Sequence, residues 1–343
     1  MRSPWTSSAS SPPTGTESNR GAKLAAKPDK QAGKEKEQMS ILPKKILVAT
    51  DGSTDANLAV RAAVDLSERT EAELHVVHAR HERQALPLAR PGLAYPSLEA
   101  ISYHDTCERE AKRLLEEQLG RIRDAGGNVA EAHLRYGRPP DETAALAGEL
   151  EAGLVVVGSR GAGPVKRLVT GSVSEGVVSL APCPVLVVRG GEGVWPPSTV
   201  IVGDDSSTEA KRAGELAAAI GGLFGARTLL VWAYRAAMVR VRRTSHVRRS
   251  EEPLRRANEY LKERVADLEH ATGKLPETRV VTADPAAAIQ EAAEEYGKKT
   301  LVGVGRRGLD AVKRFALGSV SATVLRTVSG SILIVPPSSE SRQ

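Results

Sequence analysis

The chain has 343 residues, of which 41% are apolar and 26% charged, the balance of a soluble globular protein of about two domains. No window approaches the ~20 apolar residues that span a bilayer, and the N-terminal MRSPWTSSASSPPTGTESNRGAK has no apolar core of a secretory signal. The net charge of +6 comes with no nucleic-acid motif, so the expectation is a cytoplasmic protein with neither membrane nor nucleic acid as partner.

Residues 1–42 are rich in Ser, Pro, Gly, Lys and Glu and are expected to form a disordered tail, because they have too little apolar surface to offset ordering entropy. From Lys44 short β-branched runs alternate with Ala/Leu-periodic segments. Strands are predicted at Ile46–Thr50, Glu73–Ala79, Val129–Arg135, Leu154–Gly158 and Val185–Val188. Between them, Ala59, Ala62, Ala63 and Leu66 make one helical stripe; Ala111, Leu115, Leu119 and Ile122 make another. The order then restarts, with strands predicted at Val200–Gly203, Thr228–Ala233, Glu277–Thr282, Leu301–Val304 and Ser331–Val335. Leu254, Ala257, Leu261, Val265 and Leu268 supply the long helix of the second copy.

Two segments carry the duplication. GSRGAGPVKRLVTGSVSEGVVSLAPCPVLVV begins at Gly158, and GRRGLDAVKRFALGSVSATVLRTVSGSILIV begins at Gly305; they stay in register without a gap. The Gly/Pro-rich stretch Gly190–Ser198 joins them, dividing the chain into domains at 43–190 and 199–337, a linker at 191–198 and a tail at 338–343. Strands alternating with helices imply an α/β fold of two tandem open parallel five-stranded sheets with helices on both faces. The apolar terminal strands Val185–Val188 and Ile332–Val335 are candidates to pair within the chain as a pseudo-dimer, or with a second copy.

Each copy carries G-x-x-G, nine residues, then G-S: Gly158, Gly161, Gly171 and Ser172 in the first, and Gly305, Gly308, Gly318 and Ser319 in the second. Gly158 and Gly305 close the fourth strand, where bare backbone can admit a ligand. The Gly-Ser pairs open a helix, whose unpaired N–H groups and dipole favour phosphate. The hydroxyls of Ser172, Ser174, Ser319 and Ser321 could add donors. Asp51 and Asp205 align at the end of the first strand of each copy, the edge at which open parallel sheets bind ligands; each could bond a ribose or help place a phosphate-bound cation.

On these motifs the sequence resembles two universal stress protein domains of the ATP-binding subset. The resemblance implies a Rossmann-like, adenine nucleotide alpha hydrolase-like fold and ATP as ligand, with Mg2+ or Mn2+. Carried over by position, the contacts in the first copy are Ala49, Thr50, Asp51, Ala79, Val157, Gly158, Gly161, Gly171, Ser172, Val173 and Ser174. In the second they are Gly203, Asp204, Asp205, Ala233, Val304, Gly305, Gly308, Gly318, Ser319, Val320 and Ser321. The second copy departs in having Ser206 where the first has Gly52, and Ala283-Asp284-Pro285 where the first has Gly137-Arg138-Pro139. Those changes make its site the less secure.

Other motifs point elsewhere and are weaker. There is no G-x-x-x-x-G-K-[ST], and no G-x-G-x-x-G follows either first strand. Thr50-Asp51-Gly52-Ser53 lacks the paired glycines of the SGGxDS loop in ATP pyrophosphatases. His75, His78 and His81 invite a metal, but His78 faces away from the other two and His75 lies roughly 20 Å from His81 along an extended strand, so the trio is rejected as a site. Arg240, Arg242, Arg243, Arg248 and Arg249 are read as a solvated connection. Lys166-Arg167 and Lys313-Arg314 lie within the nine-residue spacers and either approach a triphosphate or face solvent. Cys107 and Cys183 show no metal or redox spacing. The expected function is regulatory ATP binding that reports to an unidentified protein partner. The alternatives are slow ATP hydrolysis or self-phosphorylation at the same site, and a nucleotide-free interaction module.

Overall fold

A computed structural model describes residues 41–80, 98–160, 171–234, 252–306 and 317–337. The first copy runs β1 (Lys45–Ala49), α1 (Thr54–Thr70), β2 (Glu73–Arg80), α2 (Leu98–Asp124), β3 (Val129–Tyr136), α3 (Pro139–Glu149), β4 (Leu154–Gly158), α4 (Ser172–Leu180) and β5 (Val185–Val188). The second runs β6 (Thr199–Gly203), α5 (Thr208–Gly222), β7 (Arg227–Tyr234), α6 (Glu252–Thr272), β8 (Glu277–Thr282), α7 (Pro285–Tyr296), β9 (Thr300–Gly305), α8 (Ser319–Thr327) and β10 (Ser331–Val335). Every predicted strand is present, with each end within one residue of its expected place.

Three of the helices start where a side chain satisfies their first N–H groups. The Ser53 hydroxyl accepts from the Ala56 N–H to cap α1, and the Ser207 hydroxyl does the same for α5 through Ala210. Asp284 caps α7, with Pro285 in the first turn where its missing N–H costs nothing. The first predicted stripe is buried, with Ala59, Ala62, Ala63 and Leu66 fully inaccessible; Ile122 and Leu268 of the other two are so as well, Leu119 and Val265 are partly buried, and the side chains of Leu254 and Ala257 lie outside the described ones. Leu42, placed in the tail by composition, instead packs into the core with Ile41 beside it.

Each half is an open parallel sheet, and the two halves join into one ten-stranded sheet, ordered β3-β2-β1-β4-β5-β10-β9-β6-β7-β8. At the seam β5 and β10 run antiparallel, with Val187 opposite Ile332 and Leu186 opposite Leu333. Residues of α1, α2, α5 and α6 share one apolar layer, and those of α3, α4, α7 and α8 share the other. The strands therefore bury both faces, which explains their near-continuous Val, Ile and Leu runs. In each half the strand order reverses beside the first strand, between β1 and β4 and between β6 and β9. A crevice opens beyond strand ends at such a reversal.

The seam is locked by two buried arginines. Arg306, just after β9, sends Nη1 to the carbonyls of Ser179 (3.2 Å) and Ala181 (3.0 Å) at the end of α4 in the other half. Arg189, just after β5, reaches Leu325 (2.8 Å) and Val328 (2.5 Å) at the end of α8. A guanidinium suits these places, because the last carbonyls of a helix lack partners and carry its negative dipole end. Burial pushes the Arg189 pKa down to about 10, which still leaves the group charged at neutral pH.

Candidate functional site

The first crevice is built from three chain segments at the carboxyl edge. After β1, the Thr50 N–H bonds the Val77 carbonyl (2.9 Å), which extends the sheet contact by one residue. Asp51 then closes a turn, its Oδ1 accepting from the Ser53 N–H at 3.0 Å. Gly52 takes φ +77 there, a left-handed conformation that glycine adopts without strain. The Ser53 hydroxyl donates to the Arg160 carbonyl (3.2 Å), linking this turn to the one after β4. That second turn is held in place by Asp55, whose Oδ2 accepts from the Ser159 hydroxyl (2.6 Å) and from Arg160 Nε (3.0 Å).

The third segment is the start of α4. The Gly171 N–H bonds the Ser159 carbonyl (2.7 Å), bringing the helix N-terminus to the end of β4. Gly171 caps α4 with no side-chain hydrogen bond, and the first intrahelical bond runs from Glu175 back to Gly171. The N–H groups of Ser172, Val173 and Ser174 therefore precede the helical ladder, at the positive end of the dipole. Ser172 and Val173 are exposed. N–H groups that precede the ladder at a helix N-terminus suit an anion.

The second crevice repeats the plan. Asp205 Oδ1 accepts from the Ser207 N–H at 3.0 Å, the Gly318 N–H bonds the Arg306 carbonyl at 2.9 Å, and Gly318 caps α8 with no side-chain bond. Ser206 holds φ +67 at the place of Gly52; keeping the same turn with a Cβ costs about 1 kcal/mol. Ala283, in contrast, is absent from the positive-φ residues, while Gly137 has φ +152 with Glu142 packed where a Cβ would lie. The turn after β8 has therefore changed shape to suit alanine.

Three expectations need correction. Ser174 and Ser321 are not spare donors. The Ser174 hydroxyl is turned inward to the carbonyls of Ser159 (3.1 Å) and Gly171 (2.9 Å), and the Ser321 hydroxyl to those of Arg306 (2.8 Å) and Gly318 (3.0 Å). Gly158 does not open bare backbone to a ligand on its Cβ side, because a Cβ there would lie 2.5 Å from the Asp55 carbonyl carbon. Its small size lets the first turn of α1 rest on the end of β4.

Asp204 is the third. It is 5% exposed, and its Oδ1 accepts from the Ser206 N–H (2.8 Å) and the Tyr260 hydroxyl (2.9 Å) while Oδ2 accepts from Arg264 Nε (2.9 Å). Its carboxylate serves the fold, which leaves any ligand contact at this position to the backbone. In the first copy the same position is Thr50, whose hydroxyl meets Gln118 Oε1 at 3.3 Å. Burial opposes the Arg264 charge, but the hydrogen bond and attraction of Asp204 outweigh it and raise its pKa. Burial and the neighbouring Asp204 charge likewise push the Tyr260 hydroxyl well above its ordinary value.

Ala49, Ala79 and Ala233 lie at strand ends, partly buried against the second apolar layer. Val157 and Val304 are buried in it and can meet a ligand only through backbone. Gly203 and Gly305 end β6 and β9, Ser319 is exposed at the first position of α8 and Val320 is half-buried behind it. Gly161, Gly308, the two Lys-Arg pairs, His81 and the five connection arginines lie outside the described residues. Asp55, Ser159 and Arg160, which tie the first crevice together, were not singled out from sequence. The Ser-Thr-Asp run that opens α1 could have pointed to Asp55.

The profile of the Universal stress protein family matches residues 43–189 and again 197–336. The chain belongs to the universal stress protein family. Within the family it is similar to the universal stress protein YxiE of Bacillus subtilis, with 35% identity over 146 residues that make up 42% of this chain and 98% of that one. A putative universal stress protein of Staphylococcus aureus is 34% identical over 151 residues, 43% of this chain and 84% of its own. Both align with a single copy's length of the chain. Among solved structures, a universal stress protein of Archaeoglobus fulgidus covers 86% of this chain and 97% of its own, with a TM-score of 0.59 at 22% identity, which agrees in fold. Among the described residues no helix is long and apolar enough to cross a membrane.

The three-histidine metal reading also takes a new form. His75 and His78 do face opposite sides of β2: the His78 Nδ1 bonds the Thr50 carbonyl at 2.8 Å beneath the crevice. His75 instead meets a residue of the next strand, with its Nδ1 3.2 Å from His133 Nε2.

Proposed function

We propose that this universal stress protein binds ATP in both crevices, more tightly in the first, and that occupancy serves as a regulatory signal to a protein partner. The observation that carries this reading is the paired, uncapped N-termini of α4 and α8, each brought to the end of a central strand at a reversal of strand order. In this reading the phosphates are held by the N–H groups of Ser172, Val173 and Ser174, and of Ser319, Val320 and Ser321. Asp51 and Asp205 would serve the ribose or the Mg2+ or Mn2+ that travels with the triphosphate. The second crevice is the weaker because Ser206 holds a glycine conformation and Asp204 is consumed by Arg264 and Tyr260.

The test is to quantify nucleotide per chain by denaturing freshly purified protein, then to titrate the stripped protein with ATP and Mg2+. Gly171 has φ −81 and Gly318 φ −63, so glutamate fits either backbone. Gly171→Glu puts a negative charge at the helix N-terminus and should remove the tighter equivalent; Gly318→Glu should remove the weaker. Unchanged stoichiometry in the folded double variant would sink the reading.

A further inference from the structure

At the opposite, amino-terminal end of β2 and β3, two short sequences face each other: Glu73-Leu74-His75 and Glu131-Ala132-His133. The strands pair in parallel with His75 opposite Glu131 and Val77 opposite His133. Residues two apart on a strand share a face, so both histidines and Glu131 stand together on one side of the sheet. The ligand atoms of His75, Glu131 and His133 all lie within 4.8 Å of one another. From these residues we propose a zinc-class divalent metal site in the first domain, with His75 Nδ1, His133 Nε2 and a Glu131 carboxylate oxygen as ligands.

The nitrogen spacing fits. Two imidazoles on one tetrahedral zinc, with Zn–N bonds of about 2.0–2.1 Å, place their nitrogens about 3.3 Å apart, and His75 Nδ1 and His133 Nε2 are 3.2 Å apart. Glu131 Oε2 lies 3.9 Å from His133 Nε2 and is largely exposed, so a small side-chain turn completes three ligands and leaves the fourth position to water. His75 is 6% exposed, yet its Nε2 has no hydrogen-bond partner. The nearby Glu73 Oε2, 3.7 Å away, could take that N–H once Nδ1 is bound to metal. A ligating histidine commonly hands its other N–H to a carboxylate in this way.

The fold does not require this pair. Aligning Gly137 with Ala283 puts Arg279 in the second copy at the place of His133, and aligning Ala79 with Ala233 puts Leu229 at that of His75. There Leu229 is buried in the apolar layer and Arg279 pairs with Glu295 at 2.9 Å. The same strands thus form without imidazoles, and the histidines are a feature of one copy.

The probe is zinc itself, added to the full chain after chelator and nucleotide have been removed, so the result is independent of ATP binding. Micromolar zinc should bind with one equivalent assigned to this site and raise the melting temperature. His75→Gln and His133→Gln should each abolish that equivalent and the shift, and Glu131→Gln, which removes a direct ligand's charge, should weaken binding by at least the ~10–100-fold that loss of an outer-shell partner costs. Circular dichroism checks that the variants fold, and His78→Gln provides a histidine control that should keep the equivalent. Zinc binding that survives in the His75→Gln/His133→Gln double variant, or none in wild type, would leave a simple hydrogen-bonded histidine pair and overturn the proposal.

Discussion

At the end of β4 a single hydrogen atom decides how closely α1 can approach. The Gly158 Cα lies under the first turn of α1, and a methyl group would fall 2.5 Å from the carbonyl carbon of Asp55 and 2.6 Å from the Ala56 nitrogen. Backbone cannot yield as a flexible side chain can, so Gly158→Ala should cost about 1–3 kcal/mol, as overpacking does elsewhere. Urea unfolding would measure it; an unchanged midpoint would mean that α1 is free to lift. The same substitution should also weaken ATP binding, because Asp55 holds Ser159 and Arg160 at the crevice. The position of this glycine was legible in the sequence as part of a repeated spacing, but its reason was not. Spacing shows that a small residue is wanted, and only the packing shows which neighbour wants it. Ser174 and Ser321 make the same point: each hydroxyl lies at the expected place on its helix and points back to carbonyls of its own turn.

The two copies solve one packing problem in two ways. Between the first strand and the long helix, the first copy sets the neutral pair Thr50 and Gln118, and the second sets Asp204 with Arg264 and Tyr260. The Arg264 side chain is 2% exposed and also meets Asp267 at 3.0 Å and the Lys211 carbonyl at 3.3 Å. Removing one partner of such a pair leaves a buried charge alone, so Arg264→Ala should destabilise the protein by about 3–5 kcal/mol. Asp204→Thr combined with Arg264→Gln, which copies the first domain's chemistry, should recover much of that loss. Thermal melts of these two variants beside wild type provide the comparison, and equal losses in the single and double variants would refute a coupled pair. Strands and helices were readable in sequence because two-sided burial leaves long apolar runs and regular stripes. Polar partners across the layers were not readable, since Asp204 and Arg264 are distant in the chain and nothing local links them. The pairing of His75 with His133 was missed for the same reason: along one strand the histidines separate, and only the pairing of β2 with β3 brings two together.

For the whole molecule, the crossed arginines connect what the duplication separates. The Arg306 carbonyl holds the Gly318 N–H and the Ser321 hydroxyl at the start of α8, while its side chain holds the end of α4 in the other half. Arg189 follows Val188, whose carbonyl takes the Ser159 N–H in the first crevice, and its side chain holds the end of α8. Each candidate phosphate helix is therefore fastened at its far end by a residue belonging to the other crevice. On that geometry a shift at one helix N-terminus would be felt at the opposite turn, so the proposed ATP binding at the two crevices should be coupled. Calorimetric titration should give an affinity ratio that moves toward independence in Arg306→Gln, with both equivalents kept; an identical ratio in wild type and variant would remove the link.

The antiparallel join has one more effect. β5 is flanked by β4 and β10, and β10 by β5 and β9, so the backbone groups along the middle of the sheet are already engaged on both sides. A single-domain relative would find no open strand there to dock against. Fusing the two halves thus fixes their stoichiometry at one to one and insulates the pair from its relatives.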